Sequence, residues 1–120
     1  MASAKLIKIV ELLISKTADG DVIWEPTAEE GVFTYSFPSH SVRLYTSDGP
    51  QGRDIVIDII NADGEVIEAV TDQDLQPSIP AAYTMMAAMY ETARRQASGV
   101  ESVLDEILDQ LRGSGLRRRE

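Results

Sequence analysis

The four residues Asn61-Ala62-Asp63-Gly64 constrain this chain more than any other segment. They separate two runs, residues 54–60 and 65–71, whose apolar residues are mostly β-branched. Asn at the first position and Gly at the fourth suit a type I turn that ends in a left-handed glycine, the G1-bulge form of hairpin. Such a turn sets the register. It predicts Ile60 opposite Val66, Ile59 opposite Ile67 and Asp58 opposite Glu68.

Two further registers follow from neighbouring turns. A turn at Pro38-Ser39 pairs Phe33 with Leu44 and Tyr35 with Val42. Across the 47–53 loop, pairing Ser47 with Asp54 places Leu44 opposite Ile57 and Arg43 opposite Asp58. A slip of one residue would exchange the two faces of any strand. The three registers nevertheless agree on one inner face: Phe33, Tyr35, Val42, Leu44, Ile55, Ile57, Ile59, Ile67 and Ala69, with Trp24 joining it. The outer face receives Thr34, Ser36, Arg43, Tyr45, Val56, Asp58 and Glu68.

Helical periodicity brackets these strands. Residues 4–16 carry Leu6, Ile7, Ile9, Val10, Leu13 and Ile14 on a wide apolar arc, ended by Asp19-Gly20. Strands are predicted at 21–25, 32–37, 41–47, 54–60 and 65–71. Pro80 fits the first turn of a helix capped by Ser78, with Ile79, Ala82, Met86, Met89, Tyr90, Ala93 and Ala97 on its buried side. Ser98-Gly99 breaks that helix. The last one runs to Arg112, and Ser98 with Glu101 has capping-box spacing. Its apolar residues, Val100, Val103, Leu104, Ile107, Leu108 and Leu111, lie opposite Glu101, Asp105, Glu106 and Asp109. The expected architecture is α+β: an N-terminal helix, a five-stranded antiparallel meander and two C-terminal helices packed on one sheet face. Residues 1–112 form the single domain, and 113–120 a flexible basic tail.

Composition narrows the function classes. The chain has 120 residues, room for one modest core. Its net charge of −9 opposes nucleic-acid binding, which needs a basic footprint. Between Arg53 and Arg94 there is no Lys, Arg or His, while eight acids fall there. Such a face aids solubility or docks a basic protein. No apolar run approaches the ~20 residues of a membrane helix. Lys8 and Glu11 interrupt residues 5–14, and no small-residue cleavage site follows, which opposes a signal peptide. The chain has no cysteine, which excludes disulfides and thiolate chemistry and suits the cytoplasm.

Each candidate for chemistry has a simpler reading. Aligning Gly64 with the glycine of an EF-hand loop puts Ile59 and Val70 at ligand positions, where neither binds calcium. His40, the one histidine, sits beside a turn; on a strand its neighbours Ser39 and Ser41 would point to the opposite face, so no nucleophilic triad forms. One histidine also cannot build a His-rich metal site. Asp58 and Glu68 form an expected carboxylate pair, but Arg43 beside them makes a cross-strand charge row the simpler account. Met85, Met86 and Met89 have core spacing before they have the look of a peptide groove. Arg117-Arg118-Arg119 is a solvated run on an acidic protein.

Arg94 stands out because helical geometry places it near Tyr83, Ala87 and Tyr90 at the edge of an apolar arc. Its stem is expected to pack on Tyr90 while its head reaches a carboxylate. Arg95 points outward and can pair with Glu91. The candidate binding residues are therefore Arg94, Tyr83 and Tyr90 on the helix, and Arg43 and Tyr45 on the outer sheet face. No catalytic residue, metal ligand or cofactor is assigned.

Several segments together resemble a group of small bacterial proteins of uncharacterised function. They are Glu11-Leu12-Leu13, Asp19-Gly20, Trp24-Glu25, the 61–65 turn, and residues 89–101 followed by Leu104-Asp105-Glu106-Ile107-Leu108. The likeness covers most of residues 5–112 and is most specific over 90–108. It implies a bacterial cytoplasmic origin and supplies no activity, cofactor or catalytic residue.

The leading expectation is a non-enzymatic protein-binding module that self-associates as a homodimer. Helix 4–16 is apolar over more than one stripe, and Tyr45, Val56, Ile60, Val66 and Val70 are expected on the outer sheet face, beyond the reach of one helix layer. One alternative is an acidic antitoxin, immunity protein or chaperone that neutralises a basic partner. Another is a small-anion or nucleotide sensor built on Arg94, Tyr83 and Tyr90.

Overall fold

A computed structural model describes residues 3–50 and 52–113. Its elements are α1 (Ala4–Ala18), β1 (Glu25–Pro26), β2 (Phe33–Ser36), β3 (Ser41–Gly49), β4 (Gly52–Ile60), β5 (Val66–Thr71), α2 (Asp72–Leu75), α3 (Ala82–Ser98) and α4 (Val100–Arg112). The strands form one antiparallel sheet in the order β1-β2-β3-β4-β5. This is the α+β fold expected from the sequence. The basic run Arg117–Arg119 lies outside the described residues.

α1 begins where Ser3 accepts the Leu6 N–H at 3.1 Å. It buries Leu6, Val10, Leu13 and Thr17, one stripe at helical spacing. It runs two residues beyond the expected end because Thr17 is itself a core residue: its hydroxyl accepts the buried Trp24 Nε1–H at 3.0 Å. Gly20 then takes a left-handed φ of +84° and the chain turns.

The β2–β3 and β3–β4 registers are those predicted, with Phe33 opposite Leu44, Leu44 opposite Ile57 and Arg43 opposite Asp58. Leu44, Ile57 and Trp24 are among the most deeply buried side chains. β3 and β4 extend further than expected, to Gly49 opposite Gly52, so most of the 47–53 loop is ladder. β1, in contrast, shrinks to two residues. Residues 21–24 spend their backbone groups elsewhere: the N–H groups of Asp21 and Val22 go to the Lys16 carbonyl, and that of Trp24 to Gln96.

The β4–β5 register needs correction. The turn is as predicted: Gly64 is left-handed at φ +86°, its N–H reaches the Asn61 carbonyl at 3.0 Å, and Ile60 pairs with Val66. Beyond that pair the register slips by one at a bulge, so Ile59 faces Glu68 and Asp58 faces Ala69. Ile67 is consequently 53% exposed and Val70 only 1%. Ile67 and Ala69 therefore leave the inner face, Val70 leaves the outer one, and the Asp58–Glu68 carboxylate pair does not exist. The slip buries a valine in place of an alanine, and a bulge allows it for one unpaired residue. It also delivers Asp72 to the end of β4, where its buried Oδ1 accepts the Ile55 N–H at 2.8 Å.

α2 was not foreseen. Thr71 and Asp74 form its capping box, each side chain accepting the other's backbone N–H, and its Leu75 is fully buried. The Ser78 cap on α3 is absent: the Ser78 N–H closes a turn onto the Leu75 carbonyl, and α3 starts at Ala82 without a side-chain cap. α3 buries Ala82, Met86, Met89 and Ala93 against α1 and the sheet. The capping box at Ser98 is absent too. Ser98 ends α3 with its hydroxyl on the Arg95 carbonyl, and Gly99, left-handed at φ +80°, joins α3 to α4. α3 lies on the sheet, whereas α4 follows it across Gly99 and contributes no residue to the core.

Candidate functional site

The five candidate binding residues do not form one site. Tyr90 packs on Phe33 with ring centroids 5.3 Å apart, and its hydroxyl donates to the Gly31 carbonyl at 2.8 Å. It thereby ties the β1–β2 connection to α3. Arg94 lies one turn further on. Its stem is not buried: the side chain is 53% exposed and its guanidinium donates through two nitrogens to Glu91. The carboxylate partner was expected and the burial was not. This contact holds the Glu91 carboxyl below its ordinary range and raises Arg94. Arg95 reaches the same Glu91 at 3.6 Å, the expected i,i+4 pair. A recess of about 340 Å³ between α3 and residues 26–33 contains Arg94 and Tyr90, but Glu29 and Glu30 also line it. An arginine already bound to a carboxylate, facing two more acids, is poorly placed to hold an anion.

Tyr83 is separated from that group. It is exposed two turns earlier on α3 and lines a different, polar recess with Arg53, Asp72, Gln73, Gln76 and Pro80. Arg43 and Tyr45 do stay together on the outer sheet face. Asp58, 3% exposed, accepts from the Arg43 guanidinium at 2.8 Å and from the Tyr45 hydroxyl at 3.4 Å. The Arg43 guanidinium also stands 5.8 Å from the Tyr45 ring centroid. Its bond to Asp58 raises the Arg43 pKa, while burial, helped by the Asp58 charge, raises that of Tyr45. The cluster satisfies a buried carboxylate with its two neighbours, and Arg43 and Tyr45 also line a recess of about 230 Å³ with Glu29 and Val32. His40 is exposed at its turn. Among the described residues no three His, Asp or Glu side chains gather as a metal site, and no helix is long and apolar enough to cross a membrane.

What the fold leaves open is apolar surface. Every residue of α4 whose side chain is described is exposed, including Val100, Val103, Leu104, Ile107, Leu108 and Leu111, at 37–60%. At 100° per residue these six span an arc of about 140°, with Asp105, Glu106 and Asp109 opposite. Such a stripe normally faces a core. A second open surface lies between α1 and the sheet edge, a trough of about 490 Å³ lined by Ile9, Leu12, Val22, Tyr35 and Phe37 among others. Tyr35 and Phe37 meet edge-on there at 5.2 Å. The apolar outer sheet face, in contrast, is smaller than expected, since Val70 is in the core and Val56 is buried.

The α4 stripe was visible in the sequence, but its lack of an internal partner was not. The residue that sequence reasoning missed is Gln96. Its Oε1 accepts the Trp24 N–H and its Nε2 donates to the Val22 carbonyl, a link across more than 70 residues. No local pattern signals such a contact. No protein-family model matches the chain, and neither a curated protein nor a solved structure does.

Proposed function

We propose that this protein is a non-enzymatic protein-binding module that self-associates through the exposed face of α4. One observation carries the reading: a helix of 13 residues bears six apolar side chains on one stripe, and all six are exposed. Isolated helices shorter than ~12–15 residues are marginal in water, so packing must supply what propensity does not. An apolar patch of that extent is typical of an interface. The small-anion reading loses support, because Arg94 is committed to Glu91 and Tyr83 lies in another recess.

The reading is tested by far-UV circular dichroism on dilution. If association supports α4, helical signal falls as the protein is diluted through the micromolar range. The Leu104→Ser/Ile107→Ser variant starts at the diluted value and does not change. Helical signal that is independent of concentration and identical in the two proteins would overturn it.

A further inference from the structure

We infer that the α4 stripe is covered by α4 of a second copy of this chain, running antiparallel about a two-fold axis that passes between positions 105 and 106. This rests on the self-association proposed above and specifies its geometry. A two-fold interface requires that residue i meet j wherever j meets i. The six exposed apolar residues satisfy that about one centre: Val100 with Leu111 and Leu104 with Ile107 pair across the seam, while Val103 and Leu108 stand at matching heights on its two flanks. In heptad terms Val100 and Ile107 are d positions, Leu104 and Leu111 a positions, with Val103 and Leu108 flanking the seam.

The chain is acidic, and like charges facing one another across a seam would oppose self-pairing. Here Asp105, Glu106 and Asp109 lie on the far side of the stripe. The two-fold axis brings each flank of the seam against the same flank of the partner, so Glu101 faces Leu108 and Val103 faces Gln110. No two acids are brought face to face at the seam. A basic partner would instead be favoured by acids lining its edges, and Val103, Leu108 and Gln110 occupy most of that line. The competing occupant for the stripe, the α1 trough of another copy, has Lys16 and Asp21 on its rim, paired at 3.8 Å, and so no net charge to draw an acidic helix.

The six side chains expose on the order of 500 Å² per chain, so a pair buries roughly the ~1,000 Å² total at which specific interfaces begin. That area suits a reversible dimer rather than an obligate one.

The absence of cysteine makes the test direct. Val100→Cys and Leu111→Cys proteins are prepared separately, oxidised alone and as a mixture, and the wild-type chain is sedimented in parallel. A disulfide needs Cβ atoms within about 4.5 Å. The mixture is expected to yield a covalent dimer while neither variant does so alone. Leu104→Cys with Ile107→Cys repeats the test at the other pair across the seam, should an end variant fail to assemble. Like-with-like disulfides at position 100 or 111 would show a parallel pair and overturn the geometry. Crosslinking of Leu111→Cys to Phe37→Cys would place α4 in the trough and overturn it as well. A dimeric wild-type chain with no disulfide in either mixture would do the same. A wild-type chain that sediments as a monomer would instead remove the self-association on which the inference stands.

Discussion

The carboxamide of Gln96 holds the backbone of Trp24: its Oε1 accepts the Trp24 N–H at 2.8 Å, 72 residues away in the chain. Its Nε2 donates to the Val22 carbonyl at 3.3 Å. One side chain on α3 thus does for residues 22–24 what a neighbouring strand does elsewhere, and β1 is short for that reason. Trp24 in turn sets the Thr17 hydroxyl at the end of α1. Three segments meet at this point.

Gln96→Ala should therefore destabilise the fold by about 1–2 kcal/mol, because it leaves a part-buried N–H and carbonyl without their partner. Urea denaturation measures it. A loss no larger than that of an ordinary surface substitution, about 0.5 kcal/mol, would mean that water replaces the carboxamide.

The slip in β5 makes a sharper comparison. Ile57→Ala, Leu44→Ala and Trp24→Ala should each cost about 2–5 kcal/mol, as buried large-to-small changes do. Ile67→Ala should cost about 0.5 kcal/mol or less, because Ile67 is the bulged, exposed residue, whereas Val70→Ala should cost clearly more. Equal losses at Ile67 and Val70 would restore the unbroken register.

That bulge marks the limit of what sequence patterning reads. The turn at 61–64 was legible because Asn61 and Gly64 have conformational requirements of their own. The β2–β3 and β3–β4 registers were legible because alternation on both strands agrees. β5 reads Val66, Ile67, Glu68, Ala69, Val70, and neither register of it is cleanly amphipathic. The choice falls to Val70 and to Asp72, whose buried bond to Ile55 is a tertiary fact. At the candidate site the apolar stripe of α4 was legible from spacing. Whether it met the sheet was decided by Gly99, whose φ of +80° directs the chain after α3.

Tyr45 offers a pH-dependent signature. Burial disfavours its phenolate, and the nearby Asp58 carboxylate adds to that, so its pKa lies above the ordinary value of 10.0. The folded state then holds this proton more tightly than the unfolded state does. The resulting stability is fully present below pH 10 or so and is lost as pH rises through the folded value. In a spectrophotometric titration, Tyr45→Phe should remove a late phenol ionisation that the wild type shows. A late step that persists in Tyr45→Phe would assign it to another phenol.

The exposed face of α4 is proposed as an interface between copies of this chain. Sedimentation equilibrium across the micromolar range tests it most directly, with the wild-type protein beside Leu104→Ser/Ile107→Ser. The expected result is a reversible monomer–dimer equilibrium for the wild type and a monomer at every concentration for the variant, with the core intact in both. A wild-type chain that remains monomeric throughout, or a variant that dimerises as well as the wild type, would contradict it.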